Sequence, residues 1–256
     1  MNSKNFKNYK INKQTMENLR TQSIGKFVAD DYRTAAVFQK YNIDFCCKGG
    51  KTINEVCENK KISADELLAN LNDVSNQSSD QNIDYQSWDL DLLTDYIEKK
   101  HHRYIEKTTP AMKQFLEKLC KVHGARHPEL FEINEQFNIS AGELSTHMKK
   151  EEIMLFPYIK KMVSAKINSD QIVKPGSGSV QNPIKMMMEE HNTEGDRFKK
   201  IAELSNNYIP PADGCTTYKV AFEMLKEFEE DLHLHIHLEN NILFPKSIAL
   251  EKELIT

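Results

Sequence analysis

Two stretches of the chain have nearly the same sequence. They are His147-Met-Lys-Lys-Glu151 followed by Leu155-Phe156-Pro157, and His235-Ile-His-Leu-Glu239 followed by Leu243-Phe244-Pro245. Both follow the pattern H-x3-E-x3-L-F-P, so one chemical unit occurs twice in one domain. Histidine and carboxylate side chains are common metal ligands, and a duplicated set of them is most simply explained as a metal site.

The sequence around these repeats predicts four long helices. The whole chain has only nine glycines and eight prolines to interrupt helices, and residue types that favour helices are abundant. Turn and capping signals place the helices at about 87–122, 129–163, 181–206 and 216–250, joined by loops that include 123–128, 174–179 and 206–214. Four long helices with modest loops favour an all-α, up-down-up-down four-helix bundle.

Each predicted helix has one histidine on its apolar face. Residues three or four positions apart share a face of an α-helix, and on this spacing the first apolar stripe runs through Leu93, Ile97 and His101. The same spacing puts a histidine on each of the other three stripes, together with two glutamates. Burying this many polar groups without partners costs on the order of several kcal/mol for each charge. We therefore expect a cation between the helices.

The composition of this ligand set favours two metal ions. The predicted ligands are His101, His147, Glu151, His191, His235 and Glu239. A histidine and a glutamate four residues apart lie about 6 Å from each other along one helix face. Six ligands exceed the four of a zinc site and suit two metals, each bound by two histidines and bridged by both glutamates. Iron is favoured because helix bundles commonly hold di-iron carboxylate centres, while manganese and zinc remain open.

Other polar residues near the ligand set have alternative interpretations. His233 and His237 are also four residues apart, but the first repeat has Ser145 and Lys149 at those positions, so we predict that both histidines are exposed. His102 follows His101 and points about 100° away from it on an α-helix, off the apolar stripe.

Glu194 lies one turn after His191, on the apolar stripe of the third helix. It either hydrogen-bonds to a metal ligand, or donates protons, or has a simple structural role.

The chain is predicted to have a small helical domain before the bundle. The polar segment 72–84 lacks hydrophobic periodicity and is predicted to be a linker between residues 1–71, ordered from about residue 22, and a bundle at 85–256. The small domain contains adjacent Cys46 and Cys47 before a Gly-Gly turn. At a helix N-terminus these thiols would be exposed and have a lowered pKa, which favours thiolate chemistry or metal binding. The alternative is a tight turn with incidental thiols.

Composition argues against several classes of partner. A net charge of -4 with interspersed acidic and basic residues provides no basic surface for nucleic acid or anionic membranes. We find no signal peptide and no apolar segment long enough to span a bilayer. An odd number of cysteines, five, suggests reduced thiols. The sequence therefore predicts a cytoplasmic protein.

Several motifs resemble those of a known family. They are Asp44-Phe-Cys-Cys-Lys-Gly-Gly50, Lys121-Val-His-Gly-Ala-Arg-His-Pro128, His147-Met-Lys-Lys-Glu-Glu152 and Leu238-Glu-Asn-Asn-Ile-Leu-Phe-Pro245. Together they resemble the iron-sulfur cluster repair di-iron proteins, the RIC family (ScdA/YtfE type), over nearly the whole chain from about residue 22. Many relatives read Cys-Cys-Gly-Gly, whereas here Lys48 is inserted. The resemblance implies a hemerythrin-like bundle with two non-haem irons, an oxo or hydroxo bridge, and the six ligands given above.

The resemblance also implies repair of iron-sulfur clusters damaged by nitric oxide or peroxide, with iron donated to the damaged protein. On the hypothesis of iron donation, Cys46 or Cys47 would receive or pass on iron or a cluster. A second possible function is enzymatic, namely the reduction of nitric oxide or peroxide at the iron pair. A third is the binding of NO or O2 without a reaction. A homodimer formed through the small N-terminal module is a further expectation.

Overall fold

The computed structural model describes residues 13–76, 83–172 and 178–255. Within these ranges the fold is all-α and contains no β-strand, which confirms the predicted fold class. Contacts divide the chain into two compact units. The first comprises the described residues up to Trp88 together with His237–Ile242, and the second comprises Asp89–Ile236 together with the described residues from Leu243 onwards.

The first unit consists mainly of short helices. These are α1 (Lys13–Thr21), α2 (Ile24–Asp30), α3 (Thr34–Lys40), α4 (Ile53–Lys60), α5 (Ala64–Asn76) and a 3-10 turn at Tyr85–Ser87. Phe38, Ile53 and Leu67 are fully buried and form its core. Thr52 begins α4 with a capping box, in which its side chain accepts from the Glu55 amide and the Glu55 side chain accepts from the Thr52 amide.

The predicted boundaries of this module are only partly covered by the described residues. Helix α5 continues to Asn76, so the first five residues of the predicted linker 72–84 are helical. Residues 77–82 lie outside the described ranges, as do residues 1–12 and most of the predicted loop 174–179.

The second unit contains the four long helical segments of the predicted bundle, except for His237–Ile242 of the fourth segment, which belong to the first unit. The first is α6 (Leu90–Tyr96), π1 (Ile97–His102) and α7 (Arg103–His123); the second is α8 (Glu129–Lys150), π2 (Glu151–Leu155) and α9 (Phe156–Asn168). The third is α10 (Gln181–Leu204), and the fourth is α11 (Thr216–Leu238), π3 (Glu239–Leu243) and α12 (Phe244–Ile255). Helix α7 packs against α8, which packs against α10. The predicted helix boundaries agree to within about five residues.

Aromatic side chains fill part of the bundle core. The ring of Phe228 lies 5.3 Å from that of Phe137 in an edge-to-face contact and stacks on Phe198 at 5.6 Å. These three residues come from three different long segments and are fully buried. Such contacts add about 0.5–1.5 kcal/mol each to the stabilisation from burial.

Three of the four long segments contain a π-helical turn. In both H-x3-E-x3-L-F-P repeats the π turn runs from the glutamate to the leucine, as Glu151–Leu155 and Glu239–Leu243. A π turn has one more residue than an α turn, so it changes which side chains face the core, and such turns occur frequently at functional sites. Each repeat therefore contains a π turn as well as a pair of candidate ligands.

Candidate metal centre

Two groups of buried side chains at mid-bundle have the residue types and spacing of a metal site. One group is His102, Glu151, His235 and Glu239, and the other is His147, Glu151, His191 and Glu239. In each group every residue offers one ligand atom, and these atoms lie within 4.8 Å of one another. Because both groups contain Glu151 and Glu239, the two candidate metal positions share these carboxylates.

Several donor atoms within the groups are close together. The Nε2 atoms of His147 and His191 are 2.9 Å apart. The Nε2 atoms of His102 and His147 lie 3.4 Å and 3.5 Å from Oε2 of Glu151. One carboxylate oxygen is thus next to a histidine of each group, as a bridging ligand requires.

The chemistry of this donor set fits two cations. All six side chains are at most 3% exposed. Two ionised carboxylates buried in the core are costly without nearby positive charge. Two divalent ions bound by four nitrogens and two shared carboxylates would compensate that charge.

Carboxylates outside the ligand set hold two of the imidazoles. The Nδ1 atom of His147 is 2.7 Å from Oε2 of Glu190, and Nδ1 of His102 is 3.0 Å from Oε1 of Glu152. If Nδ1 donates to the carboxylate, the lone pair on Nε2 faces the metal position. Burial raises the pKa of Glu190, but hydrogen bonds from Lys150 and His147 outweigh it, and the pKa is lowered overall.

The structure differs from the sequence prediction at the first histidine. His102 belongs to a ligand group, whereas His101 belongs to neither. Nδ1 of His101 lies 3.0 Å from Asp231, and its ring stacks on His235 with centroids 5.6 Å apart. The α-helical spacing that predicted His101 from Ile97 does not apply, because π1 covers Ile97–His102 and brings the fifth residue, not the fourth, back to the same face. In the sequence, the sign of this alternative is that a second histidine, His102, directly follows His101.

The prediction that His237 is exposed is wrong, and His233 is half-buried. His237 is 1% exposed, within the first compact unit. Its ring lies 5.8 Å from Tyr32 and 6.0 Å from Phe45, and burial lowers its pKa to about 3. Tyr32 and Phe45 of the N-terminal module pack against His237, and such packing cannot be seen in the spacing of residues along the fourth helix.

Glu194 is buried on the third bundle helix, outside both ligand groups. Its Oε2 accepts from Ser140 Oγ at 2.5 Å, and its Oε1 accepts from Arg197 Nε at 3.1 Å. Burial raises its pKa despite these partners. These contacts fit a structural role for Glu194, one helical turn after the candidate ligand His191.

The two adjacent cysteines form a third group of potential ligands with Asp44. The two sulfur atoms are 3.7 Å apart, and Oδ1 of Asp44 lies 3.4 Å from the sulfur of Cys46. The prediction of exposed thiols with a lowered pKa is wrong for Cys46, which is buried and whose pKa is raised by its hydrogen bond to Cys47, by burial and by Asp44. The next helix begins at Ile53 with Thr52 as its N-cap, so Cys46 is not at a helix N-terminus as the prediction assumed.

Two asparagines after Glu239 hold the cysteine turn within the first compact unit. Asn240 Nδ2 donates to the carbonyl oxygen of Cys46 at 3.1 Å, and Asn241 Nδ2 donates to that of Phe45 at 3.2 Å. Sequence reasoning assigned no role to either residue, although both lie in the quoted Leu-Glu-Asn-Asn motif. The turn is thereby connected to the π3 segment that carries Glu239.

Helices in the three described ranges all lack the combination of length and apolar character needed to cross a bilayer.

Comparisons with known proteins match two successive parts of the chain. Residues 20–75 match the ScdA_N domain, a domain of unknown function, and residues 93–247 match the hemerythrin HHE cation-binding domain. The chain is 30% identical over 223 residues to the iron-sulfur cluster repair protein ScdA of Staphylococcus haemolyticus (strain JCSC1435), covering 87% of this chain and 96% of the relative. It is 32% identical over 233 residues to the iron-sulfur cluster repair protein YtfE of Enterobacter sp. (strain 638), covering 91% and 99%.

Proposed function

The chain belongs to the family of iron-sulfur cluster repair proteins in which an ScdA_N domain precedes a hemerythrin HHE cation-binding domain, and on this premise we propose that it repairs damaged clusters by donating iron. The observation that carries the proposal is the pair of buried ligand groups that share Glu151 and Glu239. In this proposal two iron ions are stored in the bundle as cargo for a damaged iron-sulfur protein.

The proposed ligands divide evenly between the two irons. His102 and His235 bind one, His147 and His191 bind the other, and Glu151 and Glu239 bind both. Iron bound there supplies Lewis acidity and redox chemistry. Fe(II) lies near the weak end of the affinity series for nitrogen and oxygen ligands, so a site with four neutral imidazoles and two carboxylates suits release better than permanent retention.

Cys46 and Cys47 are proposed to receive or pass on iron. Their sulfur atoms and the Asp44 carboxylate are close enough to share one ion. Thiolates bind iron in cluster proteins, so this turn has ligands of the type that the recipient of the iron also has. Asn240 and Asn241 fix the turn beside the segment of Glu239.

Iron content and repair activity together test the proposal. Anaerobically purified wild-type protein is expected to hold about two irons per chain, as in other di-iron bundles, and the double variant Glu151→Ala, Glu239→Ala is expected to lose both. A [4Fe–4S] dehydratase inactivated by peroxide should recover with the loaded wild type and not with the variant. Equal recovery with both proteins would contradict iron donation, and one zinc per chain would contradict the iron site itself.

Reduction of nitric oxide is the competing function. It is favoured by the same shared carboxylates, because they would hold two metal ions side by side, and such a pair would supply Lewis acidity and redox chemistry for two NO molecules. Anaerobic consumption of NO with stoichiometric nitrous oxide would establish turnover. Binding of NO without production of nitrous oxide would show that the protein binds NO but does not reduce it.

A further inference from the structure

A second cluster of titratable side chains lies far from the metal ligands, within the bundle unit. His123 is the last residue of α7, and Cys215 immediately precedes α11. The candidate ligands His102 and His235 are about 20 residues away along the same helical segments, or ~30 Å at 1.5 Å per residue. The proposed repair chemistry does not use this cluster.

Cys215 and His123 form a close pair. The sulfur of Cys215 lies 3.2 Å from Nε2 of His123. Cys215 is exposed to solvent, whereas His123 is only 5% exposed. The other ring nitrogen, Nδ1, is buried and has no hydrogen-bond partner among the described residues. A proton on Nδ1 would lack an acceptor, which places the imidazole proton on Nε2, where it donates to the sulfur.

The surroundings stabilise the thiolate form of Cys215. The pKa of the thiol is lowered to about 7, first by the hydrogen bond with His123 and then by the backbone amides of Tyr218 and Thr217. These amides belong to the first turn of a 23-residue helix, whose dipole also favours a negative charge. In contrast, burial raises the pKa of Cys57 and Cys120.

The neighbouring charges are compensated within the same cluster. The titratable and charged groups around the pair come from four places: Cys120 from α7, Arg126 and His127 from the turn after α7, Glu129 from the start of α8, and Asp213 and Tyr218 from the loop before α11 and its first turn. Asp213 is the nearest carboxylate in sequence to Cys215, and it lies 3.0 Å from Arg126 and 2.9 Å from His127. Its charge is therefore balanced and does not oppose formation of the thiolate.

We propose that Cys215, hydrogen-bonded to His123 at the start of α11, is a reactive thiolate that hydroperoxides oxidise to a sulfenic acid. The thiolate sulfur attacks one peroxide oxygen, forming an S–O bond as the O–O bond breaks. Sulfur is oxidised by two electrons and the peroxide is reduced by two. The departing oxygen leaves as hydroxide from hydrogen peroxide, or as alkoxide from an alkyl hydroperoxide, and takes a proton from solvent to become water or an alcohol. His123 is a positioning residue that holds the sulfur as thiolate. This site is independent of metal binding.

Site-resolved alkylation of the full-length protein tests the thiolate directly. Rates with iodoacetamide are measured by peptide mass spectrometry from pH 5 to pH 10 for all five cysteines. Cys215 is expected to react with a midpoint near pH 7. His123→Gln should move this midpoint towards 9 and lower the rate at pH 7 by about tenfold, since a smaller thiolate fraction is partly offset by higher nucleophilicity. His127→Gln is the matched control, because His127 bonds Asp213 rather than the sulfur.

The oxidation step has its own readout. After treatment of the metal-loaded protein with hydrogen peroxide and a chelator for released iron, dimedone should label Cys215, and the label should be absent in Cys215→Ser. A wild-type midpoint near pH 9, an equal effect of His127→Gln, or dominant labelling of another cysteine would overturn the proposal. The wild-type pH profile remains decisive if His123→Gln does not fold.

Discussion

His101 and His102 are adjacent and both fully buried, yet only His102 belongs to a ligand group. The two side chains differ in the carboxylate that lies next to a ring nitrogen. Nε2 of His102 lies 3.4 Å from the shared Glu151, whereas Nδ1 of His101 lies 3.0 Å from Asp231. Two neighbouring positions on one helix therefore differ in role: His102 is a proposed ligand, and His101 packs beside the site.

Substitution of each histidine in turn tests this assignment. His102→Ala is expected to lower iron content after anaerobic reconstitution by about half or more, because one of two metals in the bundle would lose a nitrogen ligand. His101→Gln should retain near wild-type content, because its ring packs on His235 without belonging to a group. Iron and protein assays on both variants make the comparison. Equal loss in the two variants would contradict the assignment of His102.

At the scale of secondary structure, the π turns orient the proposed ligands. π2 begins at Glu151 and π3 begins at Glu239, the two carboxylates shared by both ligand groups. Deleting one residue from a π turn should convert it into an α turn while leaving the flanking helices in register. The position of the glutamate relative to the partner helices would then change.

Deletion of Ile153 should convert π2 into an α turn. The deletion is expected to preserve helical content by circular dichroism but to remove iron from both positions, because Glu151 is common to them. The control is Ile153→Ala, which keeps the π turn and changes a side chain that is 70% exposed. Full iron content in the deletion variant would show that the π turn is not needed to place Glu151.

The cysteine turn depends on a close approach of backbone to Asn241. A Cβ atom at Gly49 would lie 2.5 Å from Oδ1 of Asn241 and 2.6 Å from the carbonyl oxygen of Phe45. Gly49→Ala is expected to destabilise the N-terminal module by about 1–3 kcal/mol, as overpacking does, and to make Cys46 react faster with alkylating reagents. Gly50→Ala is the matched control, because nothing lies within 4 Å of its Cβ position. Identical denaturation and alkylation of the two variants would argue against a tight turn.

For the whole molecule, Glu229 predicts a pH dependence of stability. Burial raises its pKa to about 7 from an ordinary value of 4.5, with Glu230 adding to the shift and Tyr208 opposing it. A folded-state pKa above the unfolded one means that the native state binds the extra proton between these values. This stabilisation is complete below pH 4.5 and is lost as the pH rises through about 7.

Glu229→Gln removes the titration while keeping a polar side chain next to Tyr208. Relative to this variant, the wild type should lose on the order of 2–3 kcal/mol of unfolding free energy between pH 5 and pH 8. Urea denaturation at several pH values measures the difference. Glu227→Gln, at an exposed position on the same helix, should follow the wild type. Parallel curves for wild type and Glu229→Gln would contradict the raised pKa.

Some of the predictions for the whole molecule are confirmed and others are not tested. The all-α class and the family follow from helical periodicity and motifs, and both are confirmed by the fold and by the relatives. The homodimer, the cytoplasmic location and the exact domain boundaries stay predictions.

The sequence by itself determined the four long helices, the duplicated ligand motif and five of the six residues now proposed as ligands. These features depend on local spacing, since residues three or four apart share a helix face whatever surrounds the helix. Tertiary structure alone decided that His102, and not His101, belongs to a candidate ligand group, that His237 is buried, and that the sulfur of Cys215 contacts His123, 92 positions away in the sequence. Helical periodicity predicts which face of an ideal helix is apolar, but it contains no information about a π turn or about which distant segment packs on the remaining faces.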